Sequence, residues 1–307
     1  MKTKKNISQE KSVAVIVLNY KNKDETITCV EYLKGSSYKN YRIFIVDNNS
    51  QDGSFEFLKK NLLDCEVYET GINNGYAAGN NYAIRIALNN KYDYICIINN
   101  DAIVEKNTLE NLVEYLDTHK QVGIVGPVIC NFPETDIVQS TGFKVIIKKG
   151  RTPSINEGKR TRDIVAVENC DALCGACMLI RREVFEKIGL LPELYFLFYE
   201  ETDWCLHAKK QGFSVHSIPN AKVYHKGSAS VDKIKGLKLY YISRNSVLFV
   251  RRNGSWSDYL VFLCYSFLRY FYCLFMKKQN YNEILNVKAF IKGIFMKKSS
   301  KIKIDLF

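Results

Sequence analysis

The sequence predicts an α/β protein built on a mainly parallel sheet with helices on both faces. Three observations predict it. Short apolar runs alternate with helix-like segments through the first 130 residues. The runs are continuously apolar rather than alternating, which marks strands buried on both faces. With 307 residues, 47% of them hydrophobic, the chain can bury a large core.

The elements follow in order. VAVIVLN (Val13–Asn19) reads as the first buried strand, and a polar helix follows over Asp24–Leu33. RIFIVD (Arg42–Asp47) is the second strand, with a helix from about Gly53. A short strand near Cys65–Glu69 precedes a helix over Tyr76–Leu88. YICIIN (Tyr94–Asn99) is the next strand, then a helix over Asn107–Thr118 and a strand over Val122–Val128. Asn131–Val167 carries Pro, Gly and Lys without clear period and reads as an insertion with short strands. Asp171–Gly189 reads as a strand running into a short helix, Tyr195–Phe213 as a loop entering a helix, and Ser214–Gly227 as two short strands. The expected division is a catalytic domain over 1–230, with a donor half at about 13–130 and an acceptor half at about 131–230. A helical tail over 231–307 follows.

Charge separates these two parts. The formal net charge is +12. From Lys226 onward there are 16 Lys and Arg against 4 Asp and Glu, so the tail carries the whole excess. Tyr259–Met276 is an 18-residue apolar run with one charge, Arg269. As a helix it would span roughly 27 Å, marginal for crossing a bilayer. Ser266, Arg269 and Cys273 fall on one stripe, and Arg251-Arg252 and Lys277-Lys278 flank the run without an orientation bias. Ile284, Val287, Ile291, Ile294 and Phe295 share a second apolar face, with Lys288 and Lys292 beside it. Helices lying in a membrane interface fit this pattern better than a span. A helical subdomain packed on the body explains the apolar faces but not the segregated charge. Nucleic acid is not the expected partner, because the tail's apolar runs are no stacking platform.

The opening residues, Met1–Glu10, are polar and lysine-rich and do not read as a signal peptide. The ten cysteines then read as free, buried thiols of a reducing cytoplasm. Cys174-Gly175-Ala176-Cys177 has C-x-x-C spacing, but a zinc site usually wants a second pair and none is present.

Ligands of such sheets sit beyond the carboxyl ends of the strands. Those ends read Asn19-Tyr20, Asp47-Asn48-Asn49 and Asn99-Asn100-Asp101. One aspartate alone would be a turn cap. Three further stretches change that. In VDNNSQDGS, the Asp47 carboxylate can accept the ring N–H of a uracil or thymine, while Asp52 and Ser54 shape the turn. In GINNGYAAGNNYAI, small residues such as Gly79 allow close backbone approach, and the helix start offers N–H groups to phosphate. In FYEETDWC, Glu200, Glu201 and Asp203 crowd three acids into four positions beside aromatics. Acids packed against apolar surface hold raised pKa values and can take a proton, although an acidic first turn also suits the helix dipole.

The ordered set LNY, VDNNSQDGS, GINNGYAAGNN, INND, GACMLIRREVF, FYEETDWC and YHKGS resembles the family 2 glycosyltransferases. Within them it looks closest to the rhamnosyltransferase-like branch that adds single sugars. The likeness runs from about Val13 to Ser230. It implies a GT-A fold, a dTDP- or UDP-linked sugar donor, Mg²⁺ or Mn²⁺, and inversion at the anomeric carbon. It also implies roles. Asp47 matches the nucleobase-contacting Asp, with Asn19, Asn73, Gly79, Asn80, Asn99 and Asn100 around the donor. Asp101 matches the metal-binding acid of an Asp-x-Asp motif whose first acid is here Asn99, and His225 matches a further metal ligand. Glu201 falls at the general base, with Glu200 the alternative beside it. Asp171, Gly175, Ala176 and Asp203 fall on the acceptor side. The implied acceptor is a glycan or lipid-linked hydroxyl at the cytoplasmic face of the cell membrane.

Other classes fit less well. A dinucleotide-dependent dehydrogenase would carry G-x-G-x-x-G after the first strand, where this chain has Asn19-Tyr20-Lys21-Asn22-Lys23. A processive polysaccharide synthase would show Gln-x-x-Arg-Trp, and neither Trp204 nor Trp256 follows an arginine. A catalytically inactive, membrane-associated nucleotide-sugar-binding protein would lack the acids, whereas Asp101 and Glu201 are present.

Overall fold

The structure is a computed structural model of the chain that describes residues 10–227, 235–276 and 281–296. Lys277-Lys278 and the end of the YHKGS segment lie outside the described residues.

The chain begins with a βα alternation: β1 (Val13–Asn19), α1 (Lys23–Lys34), β2 (Tyr41–Asp47), α2 (Ser54–Asn61), β3 (Glu66–Glu69), α3 (Tyr76–Asn89) and β4 (Tyr94–Asn99). These strands pair in parallel in the order β3-β2-β1-β4. The in-register pairs Asn19↔Asp47 and Leu18↔Asn99 bring the three polar ends to one edge. Period-2 alternation divides the core. Val13, Val15 and Val17 face α1, α2 and α4 (Thr108–Thr118), whereas Ala14 and Ile16 face α3 and the helices of the second half.

The second half is mixed rather than parallel. It comprises β5 (Ala102–Val104), β6 (Val122–Asn131), β7 (Val138–Ser140), β8 (Glu168–Asn169), β9 (Cys177–Arg181), α5 (Arg182–Ile188), α6 (Glu200–Lys210) and β10 (Ser214–His225). β9 enters antiparallel between β4 and β6. Its leading residues Gly175-Ala176 thereby arrive beside the end of β4, where Asn99 N–H donates to Ala176 O at 3.0 Å. Ser214–His225 is one strand, not two. The register shift between Ile218 and Lys222, at Pro219-Asn220, produces the two-part look of its sequence. β5 escapes the sequence reading because three residues carry no period.

Three helices close the described chain: α7 (Leu237–Asn253), α8 (Trp256–Met276) and α9 (Tyr281–Phe295). They share a core with the body, in which Val247, Leu248, Phe249, Val250, Phe262 and Phe290 pack with Tyr195 and Tyr199. α9 crosses α7 so closely that a Cβ on Gly293 would lie 2.5 Å from Arg244 O. The tail is thus docked on the body. One face of α8 stays open and apolar, with Leu260, Val261, Phe267, Leu268, Phe271 and Tyr272 exposed at helical spacing. Among the described residues no helix is long and apolar enough to cross a membrane. The nine described cysteines are free, and not all are buried: Cys264 on α8 is exposed, Cys65 and Cys174 half-buried.

Candidate active site

The donor end of the sheet is a network of amides. Asn19 is fully buried, donates through Nδ2 to Asp47 Oδ2 at 2.5 Å, and accepts from Thr26 Oγ1 at 2.8 Å. Ser50 donates to Asp47 through N–H (2.8 Å) and Oγ (2.7 Å). Asp47 has no exposed surface, so its carboxylate is spent on Asn19 and its own turn. In this arrangement Asp47 organises the floor of the donor edge. Asn100 Nδ2 donates to Thr26 Oγ1 at 3.0 Å and reaches Asn22 O at 3.3 Å. Asn73 Oδ1 accepts from Gly75 N–H (2.9 Å) and Asn48 Nδ2 (3.0 Å), shaping the turn before α3.

Gly79 and Asn80 serve packing. A Cβ on Gly79 would lie 2.5 Å from Leu18 Cδ1, so the glycine seats α3 on β1. Asn80 is fully buried and donates to Tyr76 O at 2.9 Å. Both lie buried at the start of α3, beside the donor edge.

Asp101 and His225 meet although 124 positions separate them, because β5 pairs antiparallel with β10 and sets Ala102 opposite His225. Asp101 Oδ1 lies 3.2 Å from His225 Nε2, and the two residues are only 8% and 9% exposed. Two amides set the imidazole. Nδ1–H donates to Gln139 Oε1 at 2.9 Å, and Asn99 Nδ2 lies 3.3 Å from Nε2 as a donor. Both contacts suit the neutral tautomer with its lone pair on Nε2. In that tautomer the Nε2 lone pair and the Asp101 oxygen are two ligand atoms 3.2 Å apart, close enough to share one cation. Orientation of the far ring nitrogen by Gln139 is what metal-bound histidines require. Among the described residues no group of three His, Cys, Asp or Glu could hold a metal. The pair therefore fits an ion such as Mg²⁺ that takes few protein ligands and completes its shell with phosphate oxygens and water.

Across Gly175-Ala176 lies the acidic pair at the start of α6. Glu200 is buried, and its Oε2 has no partner. Burial first, then the negative charge of Glu201, pushes its pKa well above the usual carboxylate range, despite Arg244 nearby. Glu201 keeps part of its surface open, while its Oε2 is enclosed and unpartnered. Burial also raises its pKa, against the lowering effect of its own N–H and that of Gly175. Gly175 is needed there: a Cβ would lie 2.8 Å from Tyr76 Oη and 3.0 Å from Glu201 Oε1. Tyr76 Oη in turn donates to Gly175 O at 2.8 Å, tying α3 to this corner.

The loop that delivers the pair is strained. Phe196 (φ 70°), Phe198 (φ 66°) and Tyr199 (φ 77°) all have positive φ, where bulky side chains rarely sit. Such residues cost on the order of 1–3 kcal/mol each. The loop is held from both sides. Phe196 O accepts Tyr76 N–H at 2.8 Å, with Gly75 (φ 91°) so close that a Cβ would strike that carbonyl. From α7, Asn245 Nδ2 donates to Tyr195 O (3.1 Å), Leu197 O (2.6 Å) and Phe198 O (3.0 Å), and Arg244 also donates to Tyr195 O.

The acceptor-side expectation divides. Gly175 and Ala176 stand between Asn99 and Glu201, both buried. Asp171 and Asp203 are structural. Asp171 pairs with Lys209 Nζ at 2.7 Å and accepts Val145 N–H at 2.9 Å. Burial alone would raise its pKa, but Lys209 and that N–H take it below the usual value. Asp203 is buried, held by Arg252 at 2.9 and 3.0 Å and by Asn253, and so pins the tail to α6. Sequence reasoning missed Gln139, Tyr76, Arg244 and Asn245. Only Arg244-Asn245 carried a signal, as polar residues within the apolar stretch of α7.

Comparison with known proteins agrees with this architecture. The family described as Glycosyl transferase family 2 matches residues 12–189. The dTDP-rhamnosyl transferase RfbF of Shigella flexneri is 28% identical over 238 residues, 70% of this chain and 72% of that protein. The N-acetylglucosaminyl-diphospho-decaprenol L-rhamnosyltransferase of Mycobacterium tuberculosis (strain CDC 1551 / Oshkosh) is 22% identical over 70% of this chain and 76% of its own. Among solved structures, the mannosyltransferase PcManGT from Pyrobaculum calidifontis, in complex with GDP-Man and Mn²⁺, superposes with a TM-score of 0.58 at 15% identity. That match covers 92% of this chain and 87% of the other. With more than half of its length matched to the family and a GT-A sheet carrying the acids at its carboxyl edge, the chain belongs to glycosyltransferase family 2.

Proposed function

We propose that this glycosyltransferase moves one sugar, such as rhamnose, from a dTDP- or UDP-linked donor to a hydroxyl of a lipid-linked glycan, inverting the anomeric carbon. The observation that carries the reading is the Asp101–His225 pair, two acceptors 3.2 Å apart at the carboxyl edge of the sheet. Relatives named as dTDP-rhamnosyl and diphospho-decaprenol rhamnosyltransferases support the donor and acceptor classes.

Asp101 and His225 Nε2 would hold Mg²⁺ or Mn²⁺, with Gln139 and Asn99 fixing the imidazole. When bound, the ion neutralises charge on the departing diphosphate. Asn100 and the Asn73 turn shape the wall beside it. The Glu201 carboxylate takes the proton of the acceptor hydroxyl through its open side. That oxygen forms the new bond to the anomeric carbon, and the bond to the diphosphate breaks with its electron pair leaving on phosphate. One displacement inverts configuration and needs no nucleophilic side chain. Glu201 is preferred to Glu200 as base because it keeps open surface, whereas Glu200 is enclosed. A purely binding protein would have no use for an enclosed, unpartnered carboxylate oxygen, since such a group lowers stability.

The exposed apolar stripe of α8 and the exposed Lys288 and Lys292 of α9 support attachment to the cytoplasmic face of a membrane.

Three outcomes test these points. Asp101→Ala and Glu201→Gln should each lower transfer by about a hundredfold or more, with Glu201→Gln still binding nucleotide. Full activity of Glu201→Gln rules out the base. The second concerns pH. The base works deprotonated, so activity should fall as pH drops through the raised pKa of Glu201. Glu200, raised further by the charge of Glu201, is the neutral member of the pair while Glu201 works, so Glu200→Gln should leave that acid limb in place in a pH–kcat/KM profile. A limb that moves to lower pH would mean that Glu200 carries the charge and would contradict Glu201 as the base. Third, Leu268→Glu with Phe271→Glu on the open face of α8 should abolish flotation of the full chain with lipid vesicles. Unchanged flotation contradicts membrane attachment through α8.

A further inference from the structure

A second cavity lies beside the catalytic pair, outside the donor edge. It has a volume of about 440 Å³ and sits between the turn Lys149–Pro153 and the helices α7, α8 and α9. Among the described residues, three cations line it, Lys149, Arg151 and Arg269, and no acid does. All three side chains are exposed. Two of them lie over aromatic rings, Tyr265 at 5.8 Å from Lys149 Nζ and Tyr270 at 5.6 Å from the Arg269 guanidinium. Cations from two distant parts of the chain, gathered around a concave site with no acid among its described lining residues, suit a multiply charged anion.

Its place narrows the anion. One wall is Tyr199, whose Oη donates to Gly150 O at 2.7 Å and which directly precedes Glu200-Glu201. An anion held here lies behind the residue that leads into the acidic pair.

We propose that Lys149, Arg151 and Arg269 bind the diphosphate of the lipid-linked acceptor. The inference rests on the reading that the acceptor is lipid-linked, and it assigns the residues that recognise it.

The test compares the full chain with the triple variant Lys149→Gln, Arg151→Gln, Arg269→Gln. Binding is measured to phosphatidylcholine vesicles that carry a polyprenyl diphosphate, and to phosphatidylglycerol vesicles of equal surface charge. dTDP binding in the presence of Mn²⁺ is measured alongside. The variant should bind the polyprenyl diphosphate vesicles at least about tenfold more weakly, with dTDP binding unchanged. The unaltered chain should prefer those vesicles to phosphatidylglycerol, and inorganic pyrophosphate should compete. Equal binding by variant and unaltered chain overturns the proposal. So does equal affinity for both vesicle types, which would mark an unspecific basic surface. Failure of the Asp101 substitution to impair transfer would instead strike the donor-site reading, because vesicle binding needs no catalysis.

Discussion

The catalytic corner depends on one side chain that lies far from it in sequence. Asn245 donates to three carbonyls of the loop before α6, at 2.6 to 3.1 Å. Without such partners, a run with Phe196, Phe198 and Tyr199 at positive φ would relax toward commoner backbone conformations. The relaxed loop would let the first turn of α6 turn, and Glu200 and Glu201 with it. Asn245 stands on α7, which is fastened by the Arg252–Asp203 ion pair and by the shared core around Tyr195 and Phe249. The tail is therefore part of the site's scaffold as well as a candidate membrane surface. Arg251-Arg252, which as sequence read as a flank of a membrane segment, divides its work: Arg252 pairs with Asp203, and Arg251 donates to the carbonyls that end α9.

The same logic explains the mixed sheet. A wholly parallel continuation would place the strand after β4 beside it and leave no route for a second wall at the carboxyl edge. β9 running antiparallel brings its starting end, Gly175-Ala176, to the finishing end of β4. Asn99, Ala176, Gly175 and Glu201 then form a line of neighbours that leads from the Asp101–His225 pair to the acidic pair of α6. β5, only three residues long, performs the matching task on the other side by setting Asp101 against His225.

Much of the donor half was legible because each strand there is a continuous apolar run ending in a polar cluster, a signal that depends on local sequence alone. Asp101, Glu201 and His225 were singled out for a different reason, their order within a family resemblance, and the fold brings Asp101 and His225 together. Asp47, Gly79, Asn80, Asp171 and Asp203 were singled out as well, and what the sequence could not show is their burial and their protein partners. Asp203 and Glu201 sit in the same helical turn, yet only Asp203 has an arginine in reach. Gln139 was invisible because it lies in an irregular insertion, and nothing local signals a hydrogen bond to a histidine 86 positions away. α7 mixes β-branched, aromatic and basic residues, and its period emerges only once its buried face against α9 and the body is known.

The most direct test of the clamp is the transfer kinetics of Asn245→Ala, measured with nucleotide affinity and thermal stability on the same protein. Loss of the three hydrogen bonds should misplace the base, so kcat should fall by about tenfold to a hundredfold. Nucleotide affinity should change far less, because the hydrogen bonds of Asn19, Asn73 and Asn100 lie within the donor half. A kcat equal to that of the unaltered chain, in a variant that remains folded, would contradict the dependence of the site on the tail.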